Sequence, residues 1–287
     1  MPHNIKFSVL IPAFNEENAV SGVVVELKEI MQKVGNYEII VVNDGSTDGT
    51  GKALKKVSGI NVIEHESNRG YGASLKTGLR TAQGEWIIIT DADGTYPNKE
   101  IPKLLKHIGK FDMVVGARTG ENVQIPFMRK PAKWFLGLMA NYVSGKKIPD
   151  LNSGLRVFRK KDAMQFYRMY PNGFSLTTTI TLAYLTNGMG VKYIPINYFR
   201  REGKSKIHPI KDTVNFVSLI IRVGTYFKPL KIFIPVSVLL FIISIAIFLY
   251  SAFVLNRVMD ITVTIIALSA LQIVLFGLLA DTIAKRG

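Results

Sequence analysis

The chain has 287 residues, 48% of them hydrophobic, with a mean hydropathy of +0.21 and a formal net charge of +15. It contains no cysteine, which excludes disulfides, thiol nucleophiles and Cys-ligated zinc. So large a basic excess calls for an anionic partner: nucleic acid, phosphorylated metabolites or an anionic membrane surface.

Read from the N-terminus, Phe7–Leu10 is too short for the apolar core of a signal peptide and runs into a proline and acidic residues, so no leader is expected. Strands are predicted over Phe7–Ile11, Glu38–Val42, Asn61–Glu64, Trp86–Thr90 and Met113–Gly116. Between them lie helices over Glu16–Val34, Asp48–Val57, Gly72–Ala82 and Lys99–His107. Continuous β-branched runs alternating with amphipathic helices imply a mainly parallel sheet covered on both faces. Ligands of such sheets bind beyond the carboxyl ends of the strands. The polar clusters stand there: Pro12–Glu16 after the first strand, Asn43–Thr50 after the second, Asp91-Ala92-Asp93-Gly94 after the fourth and Arg118 after the fifth. Any one of these is explained by turn and cap chemistry. Four together read as an active site. Asp91 and Asp93 at a strand end can hold a hard divalent cation, Mg2+ or Mn2+, that bridges a diphosphate.

Further along, the charge gathers in two segments. Arg129–Lys161 carries nine Lys/Arg against Asp150 alone, and Arg200–Lys231 carries eight against two acids. Both mix basic with apolar residues: Phe127, Met128, Trp134, Phe135, Leu138 and Met139 in the first, Val214 to Phe227 in the second. They read as amphipathic helices, over about 126–147 and 207–231, lying in a membrane interface. The plainer alternative is a pair of domain helices with solvated basic faces. No recognised nucleic-acid module is present, so no nucleic acid is expected as partner.

The C-terminal part is apolar. Ile232–Val254 and Ile261–Ala280 contain no charged residue, and each is long enough to cross a bilayer core of ~30 Å, which needs ~20 helical residues. The short connection Leu255–Asp260 makes them an antiparallel hairpin. Lys228, Lys231, Lys285 and Arg286 flank its outer ends, so the positive-inside rule places both termini and the domain before Lys228 in the cytoplasm, on a multi-pass membrane protein. The expected division is a catalytic domain over 1–206, a juxtamembrane helix over 207–231 and two spans within 232–281. Dinucleotide and P-loop fingerprints are absent, and four scattered histidines give no metal-spaced cluster.

Pro12-Ala13-Phe14-Asn15-Glu16, Asn43-Asp44-Gly45-Ser46-Thr47-Asp48, Asn68-Arg69-Gly70-Tyr71-Gly72-Ala73 and Asp91-Ala92-Asp93 resemble the inverting family-2 glycosyltransferases of GT-A fold. More narrowly, the chain resembles the dolichyl/polyprenyl-phosphate mannose and glucose synthases, over Phe7 to about Lys206. The resemblance implies that Pro12, Phe14 and Glu16 line the nucleotide, that Asp44 accepts from the base and that Asp91 faces the nucleotide. It assigns the metal to Asp93 with Asp91, and the donor phosphates or the acceptor to Arg118. Asp150, Ser153 and Arg156 match the family's acceptor-side pattern, with Arg129 added from the basic segment. Arg200, Ser205 and Lys206 fit an R-x-x-G-x-S-K loop that clamps the donor diphosphate and the lipid phosphate. Two departures stand out: Thr95 where the mannose synthases often carry Gln, and Asn43 in place of the first Asp of D-D-G-S.

The resemblance therefore implies transfer of a hexose from a nucleotide-sugar to a membrane polyprenyl or dolichyl phosphate, with Asp150 orienting the sugar or acting as base. A two-span hairpin favours a UDP-hexose donor, with GDP-mannose next. Rival readings are a processive polysaccharide synthase, which normally shows a Q-x-x-R-W motif and more spans, and a non-catalytic nucleotide-sugar-binding scaffold. The sequence is also compatible with a homo-oligomer.

Overall fold

The structure is a computed structural model and describes residues 5–120, 130–173, 175–199, 209–255, 257 and 259–285. Its first half alternates strand and helix: β1 (Phe7–Ala13), α1 (Val20–Val34), β2 (Tyr37–Asn43), α2 (Thr50–Lys55), β3 (Asn61–Glu64), α3 (Tyr71–Thr81) and β4 (Trp86–Ile89). There follow α4 (Ile101–Leu105), β5 (Met113–Ala117), α5 (Lys130–Ser144), β6 (Arg156–Arg159), α6 (Lys160–Gln165), α7 (Leu176–Thr186) and β7 (Val191–Pro195). Three long helices close the chain: α8 (Pro209–Phe227), α9 (Pro229–Phe253) and α10 (Asp260–Ala284).

The seven strands form one sheet in the order β3-β2-β1-β4-β6-β5-β7. All neighbours pair in parallel except β6, which runs antiparallel to both β4 and β5. Because side chains alternate across a strand, the sheet feeds two cores. Val9, Ile11, Val41 and Ile88 face α1 and α4, while Leu10, Ile40, Val42, Ile87 and Ile89 face α3, α6 and α7. Helix α1 buries Val20, Val23, Val24, Leu27 and Met31, a helical repeat of the kind that packs one face on a sheet.

The expected helix starts moved inward for local reasons. Helix α1 begins at Val20, not Glu16, because Asn15 adopts φ 54° and the Glu16 and Glu17 amides donate to Thr50 Oγ1 (2.8 Å) and Asp48 Oδ2 (3.2 Å). Helix α2 begins at Thr50, after a local turn in which Asp48 Oδ1 accepts the Thr50 amide at 2.9 Å.

A third core joins α5, α7 and α8 through Leu136, Ala140, Val143, Leu182, Leu185, Leu219, Ile220 and Val223. All eleven residues of α7 are buried, since this helix lies between the sheet and the α5–α8 layer. Beyond it, α9 and α10 pair as a hairpin. Ser237 donates to Ala270 O (2.7 Å) and Ser244 to Val263 O (2.9 Å), and Gly277 lets Phe233 approach so closely that a Cβ would meet it at 2.7 Å. Only 11% of the apolar window of each helix is buried inside the molecule, unlike the core helix of a soluble protein. Both are 25 residues long, enough to cross a membrane.

Candidate functional site

The carboxyl ends of β1, β2, β4 and β5 lie along one edge of the sheet. Since β6 is antiparallel, the loop that precedes it, Asp150–Leu155, lies at the same edge. This strand reversal brings Asp150 and Ser153 to the loops that follow the parallel strands.

The β1 and β2 loops are laced together. Asn15 receives a Thr47 amide on its Oδ1 (2.9 Å), and its own amide donates to Ser46 Oγ (3.0 Å). Pro12, Phe14 and Glu16 line this edge half-buried. Asn43, in the place of an acid, accepts the Ser46 amide on Oδ1 at 3.3 Å. Gly45, at φ 67°, sits where a Cβ would lie 2.5 Å from the Ser67 backbone, so the turn admits only glycine.

Asp44 is placed differently from expectation. It is 2% exposed, and its oxygens accept from the Arg69 amide (3.0 Å), the Gly70 amide (2.8 Å) and His65 Nδ1 (2.6 Å). His65 Nε2 in turn meets Thr77 Oγ1 at 3.0 Å. Held in this way, Asp44 anchors the start of α3.

Asp91 and Asp93 both stand half-buried at the end of β4. The Tyr71 phenol donates to Asp91 Oδ1 at 3.0 Å. Burial, reinforced by the Asp91 carboxylate, pushes the Tyr71 phenol well above its usual range, so it keeps its proton. Asp93 Oδ1 accepts from the Thr95 amide (3.1 Å) and the Thr95 hydroxyl (2.6 Å). Thr95, the departure noted above, therefore orients the expected metal ligand through a short turn. Among the described residues no group of three or more His, Asp or Glu side chains could hold a metal. Two adjacent carboxylates suit a hard cation whose other ligands come from a bound diphosphate and water.

Across the edge, Arg118 and Asp150 form a two-pronged ion pair, Nε to Oδ2 at 2.8 Å and Nη2 to Oδ1 at 2.9 Å. The Arg118 and Asn152 amides add bonds of 2.9 and 3.2 Å to the same carboxylate, which is 2% exposed. Burial opposes the Arg118 charge, but Tyr96 and Asp150 more than offset it, and the guanidinium stays firmly protonated. Its plane lies over the Tyr198 ring at 5.2 Å; Tyr198 meets Tyr96 edge-on at 5.2 Å, and the Tyr96 hydroxyl accepts the Gly154 amide at 2.6 Å. Gly154 backs directly onto Asp91, where a Cβ would stand 3.0 Å from both carboxylate oxygens. An aromatic brace thus ties Arg118 to Asp91, and nothing in the sequence beyond its proximity to the D-x-D and D-L-N-S-G motifs announces it.

Two further expectations change. Ser153 is fully buried and donates to Gly116 O at 2.5 Å, locking the loop to β5. Arg156 is also fully buried, donating from Nε to Ser153 O (3.1 Å) and from Nη1 to Thr177 O (3.0 Å) and Thr181 Oγ1 (3.1 Å). Burial lowers its pKa from the usual arginine value. These donors serve α7 and the loop, so Arg156 braces the acceptor-side loop from behind. Arg129, Arg200, Ser205 and Lys206 lie outside the described residues. The last described residue before Arg200 is Phe199, whose amide donates to Thr95 O at 2.9 Å.

A sequence profile described as Glycosyl transferase family 2 matches residues 8–166, and one described as GtrB C-terminal hairpin matches residues 228–285. The chain is 27% identical over 218 residues to a dolichyl-phosphate hexose transferase of Haloferax volcanii, covering 75% of this chain and 92% of that one. It is 24% identical over 304 residues to a dodecaprenyl-phosphate galacturonate synthase of Rhizobium johnstonii, covering 98% and 88%. Among solved structures, glucosyl-3-phosphoglycerate synthase from Mycobacterium tuberculosis, in complex with Mn2+, UDP and phosphoglyceric acid, superposes with a TM-score of 0.60. The identity is 16%, over 76% of this chain and 78% of that one, so the likeness shows the fold alone, that of the GT-A domains.

Proposed function

The chain belongs to glycosyl transferase family 2, and on that premise we propose that it transfers a hexose from a nucleotide-sugar to the phosphate of a polyprenyl phosphate in the membrane. The observation that carries the reading is one sheet edge holding both the Asp91–Asp93 pair and the Arg118–Asp150 pair, in a chain that ends in an outward-facing apolar hairpin. The two curated relatives described above carry names of the same acceptor class.

Asp91 and Asp93 would hold a Mg2+ or Mn2+ ion, which when bound neutralises charge on the departing nucleotide diphosphate. The lipid phosphate is already anionic, so its oxygen needs no base to attack the anomeric carbon. The new carbon–oxygen bond forms as the bond to the diphosphate breaks, with inversion, and the nucleoside diphosphate leaves with the electron pair. Because four N–H groups already point at Asp150, we assign it to positioning Arg118, not to proton removal. Arg118, together with Arg200 and Lys206, would meet phosphate oxygens.

The membrane assignment rests on α5 and α8 as well as on the hairpin. Trp134, Phe135, Leu138 and Tyr142 on α5, and Val214, Ile221 and Tyr226 on α8, are exposed. They suit an interface at headgroup depth, with the domain before α9 on the cytoplasmic side. Two spans favour UDP-hexose over GDP-mannose as donor.

The test is direct. Full-length protein in nanodiscs containing undecaprenyl phosphate is offered labelled UDP-glucose or GDP-mannose with Mn2+. Labelled lipid is the expected product, from the UDP-sugar first. No transfer from UDP- or GDP-hexoses to any lipid phosphate would end the proposal.

A further inference from the structure

The Asn68–Ala73 stretch is the one motif above to which no role was attached. Its geometry is heavily determined. Asp44 receives the Arg69 and Gly70 amides, Gly70 takes φ 100°, and α3 starts at Tyr71. Gly72 lies against the 171–173 loop so tightly that a Cβ would stand 2.2 Å from Pro171 O, and the Ala73 amide donates to Asn172 O at 3.0 Å. Tyr71 is thus flanked on both sides by residues held in close contacts and hydrogen bonds. Its side chain crosses to β4 and gives its O–H to Asp91 Oδ1 at 3.0 Å. The Asp91 carboxylate also lies over Gly154, where a Cβ would stand 3.0 Å from both of its oxygens, so a glycine there leaves it space.

We propose that Tyr71 is a positioning residue for Asp91, and that the Asn68–Ala73 loop is built to deliver this phenol to the nucleotide-facing carboxylate. A hydrogen bond to one oxygen fixes the rotation of the carboxylate and so the direction in which it can meet a cation. Outer partners of this kind commonly change metal affinity by about 10- to 100-fold when removed. Thr95 plays the matching part for Asp93. The inference rests on the reading of Asp91 and Asp93 as the cation site.

The decisive measurement is binding of Mn2+ in the presence of UDP, followed by the electron paramagnetic resonance signal of free Mn2+, on the full chain in detergent. Wild type, Tyr71→Phe and Asp93→Ala are compared, with metal-free UDP binding and thermal unfolding as controls. Tyr71→Phe removes one oxygen and keeps the ring. Its Mn2+ dissociation constant is expected to rise about 10-fold, with UDP binding in the absence of metal and the unfolding temperature both close to wild type. Equal Mn2+ affinity in Tyr71→Phe and wild type, with Asp93→Ala unable to bind, overturns the inference and leaves the metal reading intact. Absence of Mn2+ binding in wild type overturns both. A fall of more than about 5 °C in unfolding temperature, with UDP binding lost in parallel, also overturns it, because Tyr71 would then be a purely structural residue.

Discussion

The two halves of the site hold their carboxylates by different means. At the end of β4, Asp91 and Asp93 accept from neutral hydroxyls, those of Tyr71 and Thr95. In the loop before β6, Asp150 is matched by a guanidinium in a buried, two-pronged pair. A hydrogen bond from a neutral hydroxyl orients a carboxylate without itself cancelling the charge. A buried ion pair cancels the charge and converts the carboxylate into a structural strut. Carboxylates at one sheet edge therefore stand in unlike surroundings, a contrast that the proposed roles depend on.

The contrast can be broken at either end. The largest loss is expected from Asp93→Ala: about 1,000-fold or more in transfer rate, with little change in unfolding temperature, measured with labelled donor and lipid phosphate. Arg118→Ala should do the reverse in stability, costing about 3 kcal/mol by leaving Asp150 buried and unpaired; chemical denaturation of the variant in detergent checks it. Should Arg118→Ala fold as well as wild type, Asp150 is no strut. Thr95→Val is expected to lower transfer about 10-fold through a raised Mn2+ requirement, which excess Mn2+ partly restores. In the hairpin, Ser237→Ala and Ser244→Ala should each cost only about 0.6 kcal/mol, because unfolded helices in lipid find other partners; reversible unfolding in mixed micelles reads this.

The smallest expected effect concerns acid. Asp48 is held below its ordinary value of 3.8: its partial burial works against this, but bonds from Thr50 and the Glu17 amide prevail. A depressed folded pKa contributes stability above the unfolded value, and that contribution is lost as pH falls through the folded one. Replacing Asp48 by Asn should lower stability slightly at neutrality and flatten its pH dependence below about pH 4, where the two proteins converge.

The β1–β4 half was legible in the sequence because its signals are local. Uninterrupted apolar runs mark buried strands, and the polar loops follow each run directly, as at Asn43–Thr50 and Asp91–Gly94. The two spans were legible for the same reason. Helix α7 was not. Its threonines look polar, yet Thr181 and Thr186 return their hydroxyls to the carbonyls of Thr177 and Leu182, four residues back, and so become buriable. The true partners of Asp44 and Arg156 were hidden too, because they come from elsewhere in the chain: Arg69 and Gly70 in one case, Thr177 and Thr181 in the other. A motif shows which residues gather, but the tertiary structure decides which of them face the ligand.

The joint between the domain and its anchor has a mechanical consequence. Helix α8 ends at Phe227 and α9 begins at Pro229, so Lys228 alone separates them, and Lys231 Nζ donates to the last carbonyls of α5, Tyr142 O at 2.8 Å and Val143 O at 3.2 Å. From this elbow the hairpin extends as a stem of about 37 Å, the length of 25 helical residues at 1.5 Å each, with Pro235 inside its first helix. A bilayer thinner than the stem must lean it over, and the head leans with it. Turnover in synthetic membranes of graded acyl-chain length should then pass through an optimum, so that lipid thickness acts on the chemistry by tilting the whole protein.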